Sequence, residues 1–201
     1  MSSGYISEGM QEAGKISGSP QRKTIFGRGD FVYIDTDKPA AINTRFYIAS
    51  RPEKIVHPIT DDLVGYFVRI KGVAETVGED NGNVKALIRE SYAEITNEDL
   101  LSFYYPVEPS LEPGVERTPH INGVIIKLLG GVNVTAAHSI VYLDKGGADG
   151  VNIGDTFNII TKEKPHISIG TLQVISAKDK TSAALVKKAV SEIKAGDSFG
   201  N

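Results

Sequence analysis

The stretch from Gly14 to Asp35, GKISGSPQRKTIFGRGDFVYID, aligns without gaps on Gly123 to Asp144, GVIIKLLGGVNVTAAHSIVYLD, at a constant offset of 109. Gly14/Gly123, Val32/Val141, Tyr33/Tyr142 and Asp35/Asp144 are identical, and Ile16/Ile125 and Ile25/Val134 stay apolar. Phe46 and Ile48 then match Phe157 and Ile159. Farther on, Gly72 to Asp99 aligns with Gly170 to Asp197 at an offset of 98. Gly72/Gly170, Ala86/Ala184, Leu87/Leu185, Glu94/Glu192, Ile95/Ile193 and Asp99/Asp197 are identical there. Two long blocks in the same order mark an internal duplication, which constrains the fold more than any local motif.

Within each copy the pattern is that of strands. DFVYID, SIVYLD, TFNII and GTLQVI are short, β-branched or aromatic, and bounded by Gly, Asp and Asn. TSAALVKKAVSEIKAG has a helical composition, but its partner VKALIRESYAEITNED carries β-branched residues at matching places, so a strand over 182–188 followed by a tight turn is expected. Each copy then holds about five or six strands, which suits a small barrel or sandwich. Units this small bury a modest core, so the copies are expected to share an interface. Between them, Ser102 to Asn122 contains four of the nine prolines and cannot continue a ladder. The expected organisation is all-β: a first domain over 1–101 with an inserted hairpin at about 51–72, a Pro-rich linker over 102–122, and a second domain over 123–201.

Bulk properties exclude several classes. A net charge of −3 over 201 residues and a pI near 5.8 lack the basic stripe of a nucleic-acid binder. With no cysteine there is no disulfide, thiolate metal site or Cys nucleophile. No apolar run approaches the length of a membrane span. The opening MSSGYISEGMQEAGK lacks the apolar segment of a signal peptide, which leaves a cytoplasmic protein or the body of an exported one.

The stretch VYLDKGGADGVNIGDTFNII, Val141 to Ile160, is the richest in chemical side chains. Asp144, Asp149 and Asp155 suggest a metal loop, but Val151 and Ile153 are apolar where a calcium loop of EF-hand type needs oxygen ligands. The glycines lead into a strand rather than the helix of a phosphate cradle. The better reading is a turn: Gly146, Gly147 and Gly150 supply positive φ, Asn152 and Asp155 bond their own backbone, and Val151 and Ile153 point inward. No metal and no cofactor are expected.

The histidines, His57, His120, His138 and His166, form no HExxH arrangement, and no Gly-x-Ser-x-Gly elbow occurs. The pairs Asp61-Asp62 and Glu98-Asp99 place neighbours on opposite strand faces, a poor acid/base couple. No catalytic residue is assigned. The drop in offset from 111 to 98 shows thirteen extra residues in the first copy, within Arg51 to Gly72. They read as a hairpin that extends the sheet or covers the second copy. The functional alternative is a partner-binding arm using Ile55, His57, Tyr66 and Phe67. An enzyme or glycan site would instead gather His57, Asp61 and Tyr66, or use Tyr104 and Tyr105 as a sugar-stacking platform.

GYIS, GKISGSP, GDFVYID, RPEKIVHPITDDLVGY and YAEITNEDL resemble the first β-domain, and HSIVYLDKGGADGVNIGDTFNII, IGTLQVIS, TSAALV and SEIKAGDSF the second, of the regions that follow the sugar-binding LysM module in exported proteins of Gram-negative bacteria. The DGVNIGD and EIKAGD turns are also similar to the C-terminal domain of a flagellar outer-ring assembly protein. Where the LysM-associated family usually has HPxTG, His57 and Pro58 are followed by Ile59-Thr60-Asp61. The resemblance implies a periplasmic or envelope location, with leader and LysM lying outside these residues, and a non-catalytic role as an interaction or scaffold unit. It also implies indirect attachment to peptidoglycan through LysM; an envelope protein partner, to which the barrels display loops and the arm over 51–72, is expected. Direct glycan binding or membership of a flagellar or secretion ring is the alternative.

Overall fold

The computed structural model describes residues 4–104 and 117–201. In chain order its strands are β1 (Tyr5–Ser7), β2 (Glu12–Gly18), β3 (Ile25–Phe26), β4 (Phe31–Thr36), β5 (Arg45–Ala49), β6 (Glu53–Val56), β7 (Leu63–Val68), β8 (Ile70–Asp80), β9 (Asn83–Ser91) and β10 (Ile95–Thr96). There follow β11 (Leu100–Phe103), β12 (Gly123–Leu128), β13 (Val134–Thr135), β14 (Ile140–Leu143), β15 (Thr156–Ile160), β16 (Ser168–Ala177), β17 (Ser182–Ala189), β18 (Ile193–Lys194) and β19 (Ser198–Gly200). Among the described residues the helical content is one 3₁₀ turn, Gly147–Asp149.

The described chain divides into two compact units, one of residues 4, 9–53 and 68–104, the other of residues 5–8, 54–67 and 117–201. The first is a closed barrel in the order β11-β2-β4-β9-β8-β5, with the short pair β3/β10 beside it. Closure removes the edges that a small open sheet would expose. Strand periodicity decides what fills it: in β4, Val32 and Ile34 are buried while Phe31, Tyr33 and Asp35 face outward. They meet Ile16, Phe46, Ile48, Ala74, Ala86, Ile88, Ile95 and Leu101 in one core. Each large side chain removed from water there contributes about 1.5–3 kcal/mol.

The second unit closes a barrel in the order β19-β12-β14-β17-β16-β15, with β13/β18 beside it. Strand for strand, this is the first barrel again. Residues matched by the sequence repeat take matching places: Ile16 and Ile125, Val32 and Val141, Ile48 and Ile159, Ala86 and Ala184, and Ile95 and Ile193 are all core residues. The chain is therefore two repeat-related small β-barrels, as the duplication predicts. The ambiguous segment is strand β17, not helix.

The inserted hairpin belongs to the second unit rather than to a first domain ending at residue 101. Strands β6 and β7 form a three-stranded sheet with β1, in the order β1-β7-β6. Ile55, Phe67 and Ile6 pack with Ile126, Ile140, Tyr142 and Ala183 in a separate apolar cluster. This explains β14, which is buried at all four positions. Val141 and Leu143 enter the barrel core, whereas Ile140 and Tyr142 lie in the cluster with the arm. The other expected boundary also shifts, since β11 runs to Phe103 and carries Ser102 and Phe103 into the first barrel. Residues 105–116 of the expected linker lie outside the described residues.

Candidate functional site

The arm, read as a cover with partner binding as the alternative, buries Ile55 and Phe67 but leaves Val56, Ile59 and Leu63 exposed. Ile55 and Phe67 are 6% and 5% exposed, and the Phe67 ring meets the Tyr142 ring edge-on at 5.0 Å. Tyr66 is half-buried. His57 holds the turn: its Nδ1 faces the backbone N–H groups of Ile59 and Thr60 at 3.3 and 3.2 Å, and Nε2 lies 3.4 Å from Asp144 Oδ2. Accepting at Nδ1 leaves the proton on Nε2, where it can donate to Asp144. With both nitrogens engaged, this ring is a tie rather than a free base. Asp61 is exposed and takes φ 61°, the left-handed region, where the resembled HPxTG pattern carries glycine. Tyr105 lies outside the described residues.

The three carboxylates of the Asp144–Asp155 loop face separate tasks. Asp144 accepts from Val124 N at 2.7 Å, Asp149 from Gly146 N at 3.0 Å, and Asp155 from Asn152 N at 2.8 Å. Asp155, 1% exposed, also pairs with Arg117 Nε at 2.8 Å. Among the described residues no three His, Asp or Glu side chains converge as metal ligands. Two details differ from expectation. Positive φ occurs at Gly150 and Gly154 (90° and 95°), not at Gly146 or Gly147. Gly146 is required for space instead, since a Cβ there would lie 2.2 Å from the Lys178 carbonyl oxygen. Val151 plugs the core, but Ile153, which immediately precedes the positive-φ Gly154, is 48% exposed.

A different place on the first barrel gathers chemistry. A cleft of about 340 Å³ is lined by Arg28, Arg45, Val73, Arg89, Glu90, Ser91, Tyr92 and Tyr104. Its geometry follows from strand register. Arg45 on β5 stands opposite Glu75 on β8, and Phe46 opposite Phe103, so Tyr104 emerges beside Arg45. Between β8 and β9, Ala74 pairs with Ile88 and Val73 with Glu90, which leaves Arg89 as the extra residue of a β-bulge. Bulges re-aim a side chain. Arg89 turns onto Glu75, donating from Nε and Nη2 to Oε1 at 3.1 and 2.5 Å, while Arg45 Nε donates to Oε2 at 2.7 Å. The turn before β4 bonds to β9 through Gly29 N to Ile88 O, which brings in Arg28.

Glu75 is 6% exposed, and its guanidinium partners hold its carboxyl below the ordinary range, Arg45 most and Arg89 next. The same pairing raises Arg45. A buried carboxylate thus fixes two half-exposed guanidinium groups in one orientation. Beside them, the Tyr104 ring lies 4.8 Å from Tyr47 and 5.9 Å from the Arg45 guanidinium carbon. Tyr92 donates to Glu90. Burial of its phenol first, and then Glu90, push it up to about 12, although the residue as a whole is 44% exposed.

Of the expected site residues that the structure describes, only Tyr104 reaches this cleft. No local motif joins Arg28, Arg45, Glu75, Arg89 and Tyr92, so their spacing in the sequence does not mark them as a site. A signal was present in the repeat itself. At the established offsets Arg45, Tyr47, Glu75, Arg89, Glu90 and Tyr92 become Thr156, Asn158, Gln173, Lys187, Lys188 and Val190. The second barrel keeps the same bulge at Lys187 but has no carboxylate opposite it. The repeated apolar positions build the barrel, whereas these six unrepeated side chains gather in or beside the cleft.

No protein-family model matches the chain, and comparison with curated proteins gives no significant match. Among the described residues no helix is long and apolar enough to cross a membrane.

Proposed function

We propose that this chain is a non-enzymatic interaction unit of an exported cell-envelope protein, of the kind the LysM-associated resemblance implies, with the cleft of the first barrel as its recognition surface. The observation that carries this reading is the asymmetry between two like barrels: Arg45, Glu75 and Arg89 form a fixed ionic cluster in one, where the other has Thr156, Gln173 and Lys187. A cluster that closure of a barrel does not require is a candidate for selection by a ligand. The arm plays a different part. Its Ile55 and Phe67 side chains are engaged within the second unit, so these two stabilise that unit rather than reach for a partner.

Arginine and tyrosine are, with tryptophan, enriched at binding hot spots, and each combines apolar area with directed donors. A second reading, direct glycan binding, is favoured by the paired Tyr47 and Tyr104 rings, whose faces suit the C–H faces of a sugar.

The test is site-specific crosslinking. A benzoylphenylalanine at position 92 of the purified chain, irradiated in envelope extract, is expected to give a discrete adduct that Arg89→Ala with Tyr104→Ala removes. The same group at position 187 is expected to give none. Equal adducts from both positions would remove the cleft from consideration.

A further inference from the structure

We infer that the cleft takes a sugar ring bearing a carboxylate, an acidic mono- or disaccharide unit; this deepens the reading of the cleft as a recognition surface and rests on it. Size comes first. A cleft of about 340 Å³ is at the small end of ligand sites and suits one or two rings rather than a polymer groove. Its walls supply two unlike surfaces: half-exposed tyrosines at Tyr92 and Tyr104, and guanidinium groups at Arg28, Arg45 and Arg89. A pyranose presents the complement, with an apolar C–H face and polar edges.

Charge selects the substituent. Three guanidinium groups stand against the carboxylates of Glu75 and Glu90, which leaves one net positive charge. That balances one carboxylate and falls short of a phosphate dianion. The phosphate alternative also lacks its usual cradle. The walls come from strands and the turns beside them, so their backbone offers no row of free N–H groups such as a helix N-terminus provides. A guanidinium fork, by contrast, matches a planar carboxylate in two parallel bonds.

Preorganisation completes the argument. Glu75 engages Arg45 through Nε, and a side-chain hydrogen bond with Tyr104 steadies the same guanidinium, whose Nη end lies outside the ion pair. The bulge fixes Arg89 from the adjacent strand, and among the described residues no carboxylate pairs with Arg28. A ligand carboxylate therefore meets donors already oriented, and binding orders little that is not already ordered.

The test is a two-dimensional amide NMR titration of the full chain with methyl glucuronide, its neutral twin methyl glucoside, and glucose 6-phosphate. The expected result is shifts centred on Arg89, Tyr92 and Tyr104, with the uronide binding at least tenfold more tightly than either comparator. Arg89→Gln, whose folding the same spectra report, is expected to bring the uronide down to the level of the glucoside. Tyr104→Ala is expected to weaken both sugars. Glu75→Gln adds one positive charge to the cleft and is expected to turn preference toward the phosphate, an outcome that loss of packing alone would not give. Equal binding of uronide and glucoside would overturn the carboxylate while leaving a glycan site. Tighter binding of the phosphate to the unaltered chain would overturn it too. No shift with any probe would overturn the inference entirely, and the crosslink from position 92 would then judge the recognition surface by itself.

Discussion

Gly72 and Gly170 occupy the same place in their two barrels, and a Cβ built on either would lie 2.3 Å from a carbonyl oxygen, that of Glu90 in the first and of Lys188 in the second. Neither residue has a positive φ, so the requirement is for space between β8 and β9, or β16 and β17, not for backbone freedom. Gly72→Ala and Gly170→Ala are each expected to destabilise their own barrel by about 1–3 kcal/mol, the usual cost of forcing atoms into a packed site. Hydrogen exchange followed by mass spectrometry checks this, because faster exchange should be confined to the altered barrel. Gly27→Ala, with open space around its Cβ, serves as the control and should change nothing.

The arm carries the second expectation. Phe67 lies among Ile6, Ile55, Ile126, Ile140 and Tyr142, so Phe67→Ala leaves a cavity in the second unit. The cost should be about 3–5 kcal/mol. Protection of the β14 and β17 amides should fall with that of the arm. If the arm were a free appendage, its own amides would change and those of β14 would not.

Particular residues show why the barrels were legible and the cleft was not. Ile16 alternates with polar Lys15 and Ser17, and although Val32, Ile125 and Val141 have apolar neighbours, the repeat ties all four to matching places in short β-branched runs. Inside and outside can be read from such alternation. Which outer surface a hairpin then covers cannot, so Ile55 and Phe67 read as cover, with bait as the alternative. The cleft depends on register: Arg45, Glu75 and Arg89 come together through β5-β8-β9 pairing and one bulge. Bulges leave no composition signature. The glycine-rich loop misled in a smaller way, since periodicity and turn chemistry marked Gly146 as special without saying that crowding by Lys178, rather than φ, makes it so.

Asp99 and Asp197 cap equivalent turns, each accepting at 2.7 Å from the backbone N–H three residues earlier, but their second oxygens are satisfied differently. Asp99 pairs with Lys71 Nζ at 2.7 Å, whereas Asp197 accepts from Lys162 N at 2.9 Å. At the position of Lys71 the second barrel has Ile169, a core residue. Breaking one side of a buried pair leaves the other charge uncompensated, so Lys71→Ile or Asp99→Asn alone should cost about 3–5 kcal/mol. The double variant should cost less than their sum, with a coupling of about 0.5–3 kcal/mol in urea denaturation. Strict additivity would mean that the pair contributes nothing specific.

Tyr92 offers a titration with a defined sign. Its phenol is pushed from an ordinary 10.0 up to about 12, by burial first and by the hydrogen bond to Glu90 second. The folded state thus holds this proton more tightly than the unfolded chain. The associated stability is complete below pH 10.0 and is lost as pH rises toward about 12. Carbon-13 labelling of the tyrosine ring allows each phenol to be followed separately. Glu90→Gln removes the charge beside Tyr92 and should lower its midpoint, yet leave it above the ordinary value, because burial remains. Tyr33, raised by its own bond to Asp80, should not respond. A Tyr92 midpoint near the ordinary value in the unaltered chain would mean that this phenol stands in open water, and the aromatic wall of the cleft would then have to be redrawn.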